Sequence, residues 1–156
     1  MKKAKTKTAV KSVKRKSWTD KVNDASKVKQ VKRVEKDFAD IPANSNMLIA
    51  TPKIIDEYVR AIPKGKAVSL QTMRKDLALT YGADYTCPVT TGIFLRIVAE
   101  AAHEQLEGGK ALKSVAPFWR VVEEQSPLNK KLSFGPDFVT EQRKKEGISK
   151  TQDKKE

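Results

Sequence analysis

Apolar side chains recur with helical spacing in three places along the chain. Ile54, Ile55, Tyr58, Val59 and Ile62 fall at i, i+1, i+4, i+5 and i+8, one face of a helix. Pro52 sits near its first turn, and Ile62-Pro63-Lys64-Gly65-Lys66 ends it. Ser69 can cap a second helix in which Leu70, Met73, Leu77 and Tyr81 recur at i, i+3, i+7 and i+11, and Gly82 stops it. A third pattern is the most regular. Ile93, Phe94, Ile97, Val98, Ala101 and Ala102 share one wide face, Arg96, Glu100, His103 and Glu107 share the other, and Gly108-Gly109 terminates it.

Beyond the third helix the pattern changes. Pro117-Phe118-Trp119-Arg120-Val121-Val122 reads as a strand, Ser126-Pro127-Leu128-Asn129 as a turn, and Lys131-Leu132-Ser133-Phe134 as a returning strand. Pro136-Asp137 opens a last helix that ends near Gly147. Three helices, a strand–turn–strand and a helix predict a mainly α domain with a small β-wing, a winged helix-turn-helix, over residues 45–148. Residues 1–40 read as a basic, largely disordered arm with a short helix around 17–29, where Ser17 is a cap and Trp18 and Val22 are spaced to dock on something apolar. Residues 149–156 read as a disordered tail.

Charge adds the first hint of a partner. The chain carries 32 Lys and Arg against 19 Asp and Glu, a net charge of +13 over 156 residues. Residues 1–36 hold 14 basic and 3 acidic side chains, a net of +11, whereas 37–156 hold 18 and 16, a net of +2. Such an arm gains counterion-release entropy on any nucleic acid, which points to a polyanion without distinguishing DNA from RNA. A solubility or localisation segment is the plainer alternative. No apolar run approaches the ~18 residues a membrane span needs, and the N-terminus lacks the apolar stretch of a secretory signal. One cysteine excludes an internal disulfide, and with one histidine it excludes a zinc finger. No metal, cofactor or membrane partner is expected, and a cytoplasmic, nucleoid-associated monomer is.

Three segments resemble a known family. Ile62-Pro63-Lys64-Gly65-Lys66-Ala67-Val68-Ser69 resembles the P-x-G-x-V-x-[ST] segment of the C-terminal domain of alkylguanine-DNA alkyltransferases. Pro117-Phe118-Trp119-Arg120-Val121-Val122 is similar to their Pro-Cys-His-Arg-Val-Val active-site strand, and Glu146-Gly147 to the Glu-Gly that closes their domain. Order and spacing agree over roughly residues 48–148. The nearest resemblance is to a bacterial branch related to the alkyltransferase-like proteins, through Cys87-Pro88-Val89-Thr90-Thr91-Gly92-Ile93-Phe94, the aromatic–Trp–Arg of the strand and Lys16-Ser17-Trp18. The resemblance implies a winged helix that enters the minor groove and rotates a nucleotide into a pocket, with DNA and DNA-repair proteins as partners.

The departures from that pattern are chemical. The acceptor-cysteine position is Phe118 and the base-relay position is Trp119, so neither a thiolate nor an activating imidazole is present there. The alkyltransferase-like proteins also lack that cysteine and bind the lesion without repairing it. The tyrosine that helps turn the phosphate aligns with Leu70, and the arginine that replaces the flipped base aligns with Val89 or Thr90. The sequence therefore points to non-catalytic DNA binding, with recognition of alkylated guanine as the sharper form. A general DNA-binding winged helix, a methyltransferase that uses Cys87 and an RNA-associated protein stay open.

Candidate DNA contacts follow from residue type and place. Thr90, Thr91 and Gly92 stand at a helix start, where hydroxyls and free N–H groups can meet phosphate or base edges, or simply cap the helix. Arg96 lies one turn on. Lys64, Lys66, Ser69 and Gln71 flank the entry to the second helix and could hold phosphates, and Arg120 carries over as a structural arginine with some DNA reach. Phe118 and Trp119 would line a stacking pocket, or else pack the core. Cys87 reads as structural and His103 as solvated.

Overall fold

In the computed structural model, which describes residues 16–148, the first element is a short helix, α1 (Trp18–Val22). Ser17 caps it by accepting the Asp20 N–H at 3.0 Å. Strands β1 (Gln30–Val34) and β2 (Ser45–Ile49) pair antiparallel, with Gln30 opposite Ile49 and Val34 opposite Ser45. Helix α2 (Pro52–Arg60) starts at Thr51, whose hydroxyl accepts the Ile54 N–H, and Pro52 occupies the first turn, where a missing N–H costs nothing. Helix α3 (Leu70–Thr80) starts at Ser69, whose Oγ accepts the Thr72 N–H at 3.0 Å. The two-residue β3 (Tyr85–Thr86) then pairs parallel with β2, giving the order β1-β2-β3, and leads into α4 (Pro88–Glu107). Two 3₁₀ turns (Leu112–Ser114 and Phe118–Arg120), α5 (Pro127–Lys131) and α6 (Asp137–Glu146) complete the chain. Gly147 closes α6 at φ 75°, a left-handed conformation that suits glycine.

The protein is mainly helical with one small sheet, as the pattern predicts, but the sheet is elsewhere. Within 117–122, Phe118–Arg120 form a 3₁₀ turn instead of a strand, and 127–131 form α5 instead of a hairpin turn, so no strand returns at 131–134. Phe118, Trp119, Val121 and Val122 are all buried, and a buried turn and a buried strand leave the same continuous apolar run in sequence. The observed sheet begins inside the segment read as a disordered arm. In residues 27–34 the valines stand three apart, at 28, 31 and 34, matching neither the period of a strand nor that of a helix. Of β1 only Val34 is buried, so its pairing with β2 carries it. The disorder read for residues 1–15 and 149–156 lies outside the described residues.

Helix α4 is the axis of the core, which gathers Leu48, Ile55, Val59, Met73, Leu77, Leu95, Val98 and Trp119 around it. Its expected apolar face holds for Phe94, Ile97, Val98, Ala101 and Ala102, all in or against the core, but the expected charged face is largely covered. Glu100, placed on the polar side by sequence, is only 2% exposed, and its carboxylate accepts the Ser133 N–H at 2.7 Å and the Ser133 hydroxyl at 2.5 Å. His103, read as solvated, lies flat against Phe134 with ring centroids 4.1 Å apart, and Phe138 meets it edge-on. Ile93, read as core, is 52% exposed. The reason is that α1 and the 131–134 segment cover the charged side of α4. Trp18 and Val22 do dock as their spacing suggests, and the Glu104 carboxylate accepts the N–H groups of Trp18 and Thr19 and the Thr19 hydroxyl. Those bonds outweigh desolvation, which alone would raise it, and hold the Glu104 carboxyl below its usual range.

Candidate nucleic-acid interface

The turn at Phe118–Arg120 brings together segments that lie far apart in sequence. Arg120 forks onto the Glu146 carboxylate, Nε to Oε1 at 2.9 Å and NH2 to Oε2 at 2.8 Å, while its NH1 donates to the Ile62 carbonyl at 2.7 Å. The same carboxylate accepts the Gly65 N–H at 2.9 Å and the Trp119 indole N–H at 2.9 Å. Gly65 sits at φ +84°, which a side chain would strain, and its N–H reaches Glu146 from that conformation. Burial alone would raise the Glu146 carboxyl, but Arg120, Gly65 and Trp119 donate to it and bring it down to about 2. From α6, Arg143 donates to the carbonyls of Trp119 and Val122, both at 3.1 Å. The clamp therefore fixes the Pro63–Lys66 loop and holds Lys64 and Lys66 out in solvent.

The sequence-predicted residues divide among three places. Lys64, Trp119 and Arg120 border a cleft of about 680 Å³ that Arg60, Lys113 and Glu146 also line. Ser69 and Gln71 border a second cleft, of about 590 Å³, between the start of α3 and residues 121–128, with Leu70, Lys75, Val121 and Glu123. Arg60, Lys75 and Lys113 line these clefts without having been singled out, because an exposed cation carries no sequence signal of its own; Arg60 is paired with Asp56 at 2.8 Å. Thr90, Thr91, Gly92 and Arg96 occupy the first turns of α4, between which only part of the expected surface survives.

Thr91 is wholly buried, and its hydroxyl donates back to the Cys87 carbonyl at 2.6 Å, so it offers nothing to a ligand. Neither threonine caps the helix; Cys87 holds the cap position without a side-chain bond. The Thr90 hydroxyl is buried and has no hydrogen-bond partner. A side chain added at Gly92 would meet nothing within 4 Å, so no close approach explains that glycine. Arg96 is turned toward the protein, 3.6 Å from Glu100 and 5.8 Å from the centre of the Trp18 ring, whose other neighbour is Lys21 at 4.3 Å. What the start of α4 does present is apolar: Val89 is 54% exposed and Ile93 follows one turn later.

Phe118 does not line a pocket. It is fully buried, edge-on to Trp119 at 5.4 Å and to Phe134 at 5.8 Å, and stacked on Phe138 at 5.6 Å. Trp119 is nearly as deep, and only its margin reaches the first cleft. Cys87, the thiol candidate, is buried at the end of β3, where its N–H donates to the Leu48 carbonyl of β2. No helix among the described residues is long and apolar enough to cross a membrane. Comparison with family models, curated proteins and solved structures finds no match to this chain.

Proposed function

We propose that this protein is a non-catalytic DNA-binding domain of the alkyltransferase-like, winged-helix kind, reading duplex DNA for the repair machinery from a cytoplasmic, nucleoid-associated location. The observation that carries this reading is the convergence of three separate motifs on one carboxylate. The Pro63–Lys66 loop, the Phe118–Arg120 turn and Glu146 carry the family resemblance independently, and they share a single hydrogen-bond cluster. Helix α3, the short β3 and α4 then supply a helix–turn–helix order, with Lys64, Lys66, Gln71 and Lys75 exposed along its entry. Phe118 has no nucleophile and Cys87 is 4% exposed, so alkyl transfer has no reacting atom within reach of DNA.

A general DNA-binding winged helix without lesion recognition is favoured by one feature. Leu70 and Val89 stand where a phosphate-turning tyrosine and an inserted arginine would be, and neither fills a base-sized gap. Unstacking a base costs a few kcal/mol, comparable to the ~1–3 kcal/mol a stacking contact returns. The cleft beside Leu70 and Gln71 therefore supports at most a modest preference for a flipped alkylated guanine. The test is a competition titration on two duplexes differing by one methylated guanine. A preference of about tenfold or less, diminished in Gln71→Ala, supports the lesion reader; equal affinities leave the general reading; no binding to either duplex rejects both. Mass spectrometry after incubation should return an unmodified chain, and a methyl on Cys87 would establish the enzyme instead.

A further inference from the structure

The first strand combines three properties that the α3–α4 region does not require. It is an edge strand, with β2 on one side and no strand beyond it among the described residues. Four of its five residues are exposed, and as an edge strand it has backbone N–H groups on its outer side with no strand to pair with. Its flanks and faces carry Lys27, Lys29, Lys32, Arg33 and Lys36, all exposed, and none of them is in an ion pair among the described residues. The strand also has a defined place. Lys29 Nζ lies 5.4 Å from the centre of the Tyr81 ring, the residue that ends α3, and β2 connects β1 to β3 at the entrance to α4. With strands about 4.8 Å apart, the basic edge runs about 10 Å from β3.

We infer that β1 is a second phosphate-binding surface, a basic ribbon that lies along the backbone of the bound duplex. This inference rests on the DNA-binding reading and adds to it where the wing is: at the N-terminal side of the helix pair, not after the Phe118–Arg120 turn. Unpaired cations and outward N–H groups are the donors that meet phosphate oxygens in protein–DNA complexes, and they fix register without reading sequence. Lysine on an edge strand also prevents strand-to-strand association. That role needs neither the position beside Tyr81 nor the continuation of charge to Lys27 and Lys36 on either side of the strand.

The experiment is a salt titration of duplex binding by the full chain, comparing the parent with Lys27→Gln/Lys29→Gln/Lys32→Gln/Arg33→Gln. Circular dichroism and a thermal melt establish that the variant folds; if it does not, Lys32→Gln/Arg33→Gln alone is titrated. The slope of log affinity against log salt should become shallower by about 0.9 for each phosphate that the variant no longer neutralises, without change in preference among duplex sequences. An unchanged slope overturns the inference, and self-association of that variant with an unchanged slope assigns the lysines to edge protection. Lys64→Gln/Lys66→Gln is titrated in parallel. If that pair weakens binding while the β1 variant does not, DNA binding stands and the ribbon falls. If the parent chain binds no duplex, the functional reading itself fails.

Discussion

Around Glu146 every polar group is satisfied, whereas along β1 the cations are left to solvent. At the first site one carboxylate receives an arginine fork, an indole N–H and a backbone N–H. At the second, five cations stand within ten residues with no carboxylate held against them among the described residues. Both are rich in charge, yet they do opposite things. Charges that are buried and paired hold segments in place and leave nothing for a ligand, while unpaired surface charges add little to stability and remain available for binding. Arg120 belongs to the first kind although sequence placed it among the DNA contacts, and Arg96, 3.6 Å from Glu100 and part-exposed, stands between the two. Lys64 and Lys66 belong to the second because the clamp holds their loop from behind.

The contrast breaks most easily at the clamp. Glu146→Ala strands the Arg120 guanidinium and the Trp119 and Gly65 N–H groups, and removing one partner of such a pair costs about 3–5 kcal/mol. Urea denaturation should register that loss, and a cost below about 1 kcal/mol would mean the cluster is no tighter than a surface ion pair. The same carboxylate gives a pH signature. Its folded pKa, about 2, lies below the ordinary glutamate value of 4.5, so between them the unfolded chain binds the extra proton. Its contribution to stability is therefore complete above about pH 4.5 and is lost as pH falls towards 2. Melts of the parent should fall through that window more steeply than those of Glu146→Gln.

Smaller effects sharpen the division. Thr91→Val removes the bond to the Cys87 carbonyl at nearly constant shape, so a cost of about 1 kcal/mol is expected with DNA affinity unchanged. A loss of affinity without a loss of stability would return Thr91 to the interface. At the other extreme, Lys32→Gln should leave the unfolding free energy in urea within about 0.5 kcal/mol of the parent; a larger drop would show that the strand depends on its lysines for folding.

Much of the helical frame was legible because its signals are local. Ser17 and Ser69 cap as short polar residues do, Pro52 starts a helix, Gly147 ends one, and Ile55, Val59, Met73 and Leu77 recur at helical spacing and are buried. The sheet was not legible, because β1 is held by pairing with β2 and its own side chains show no alternation. Nor was the covering of the charged face of α4. Glu100 and His103 are polar by type, but the partners that bury them, Ser133 and Phe134, arrive from some thirty residues further on. Among the candidate DNA-binding residues, residue type identified groups able to bind phosphate; it carried no record that Glu100, Cys87 or Glu146 had already engaged Arg96, Thr91 and Arg120.

The bond between Gly65 and Glu146 spans 81 positions of sequence, and that distance orders events during synthesis. A growing chain has α2, α3 and the start of α4 long before residue 146 exists, so for that interval the Pro63–Lys66 loop has no carboxylate to close on. Long-range closures of this kind pay their entropy late and slow the final step. The basic surface at Lys64 and Lys66 takes its finished shape only when nearly the whole domain has been made, and a truncated product ending before α6 would carry the charges without the loop that aims them.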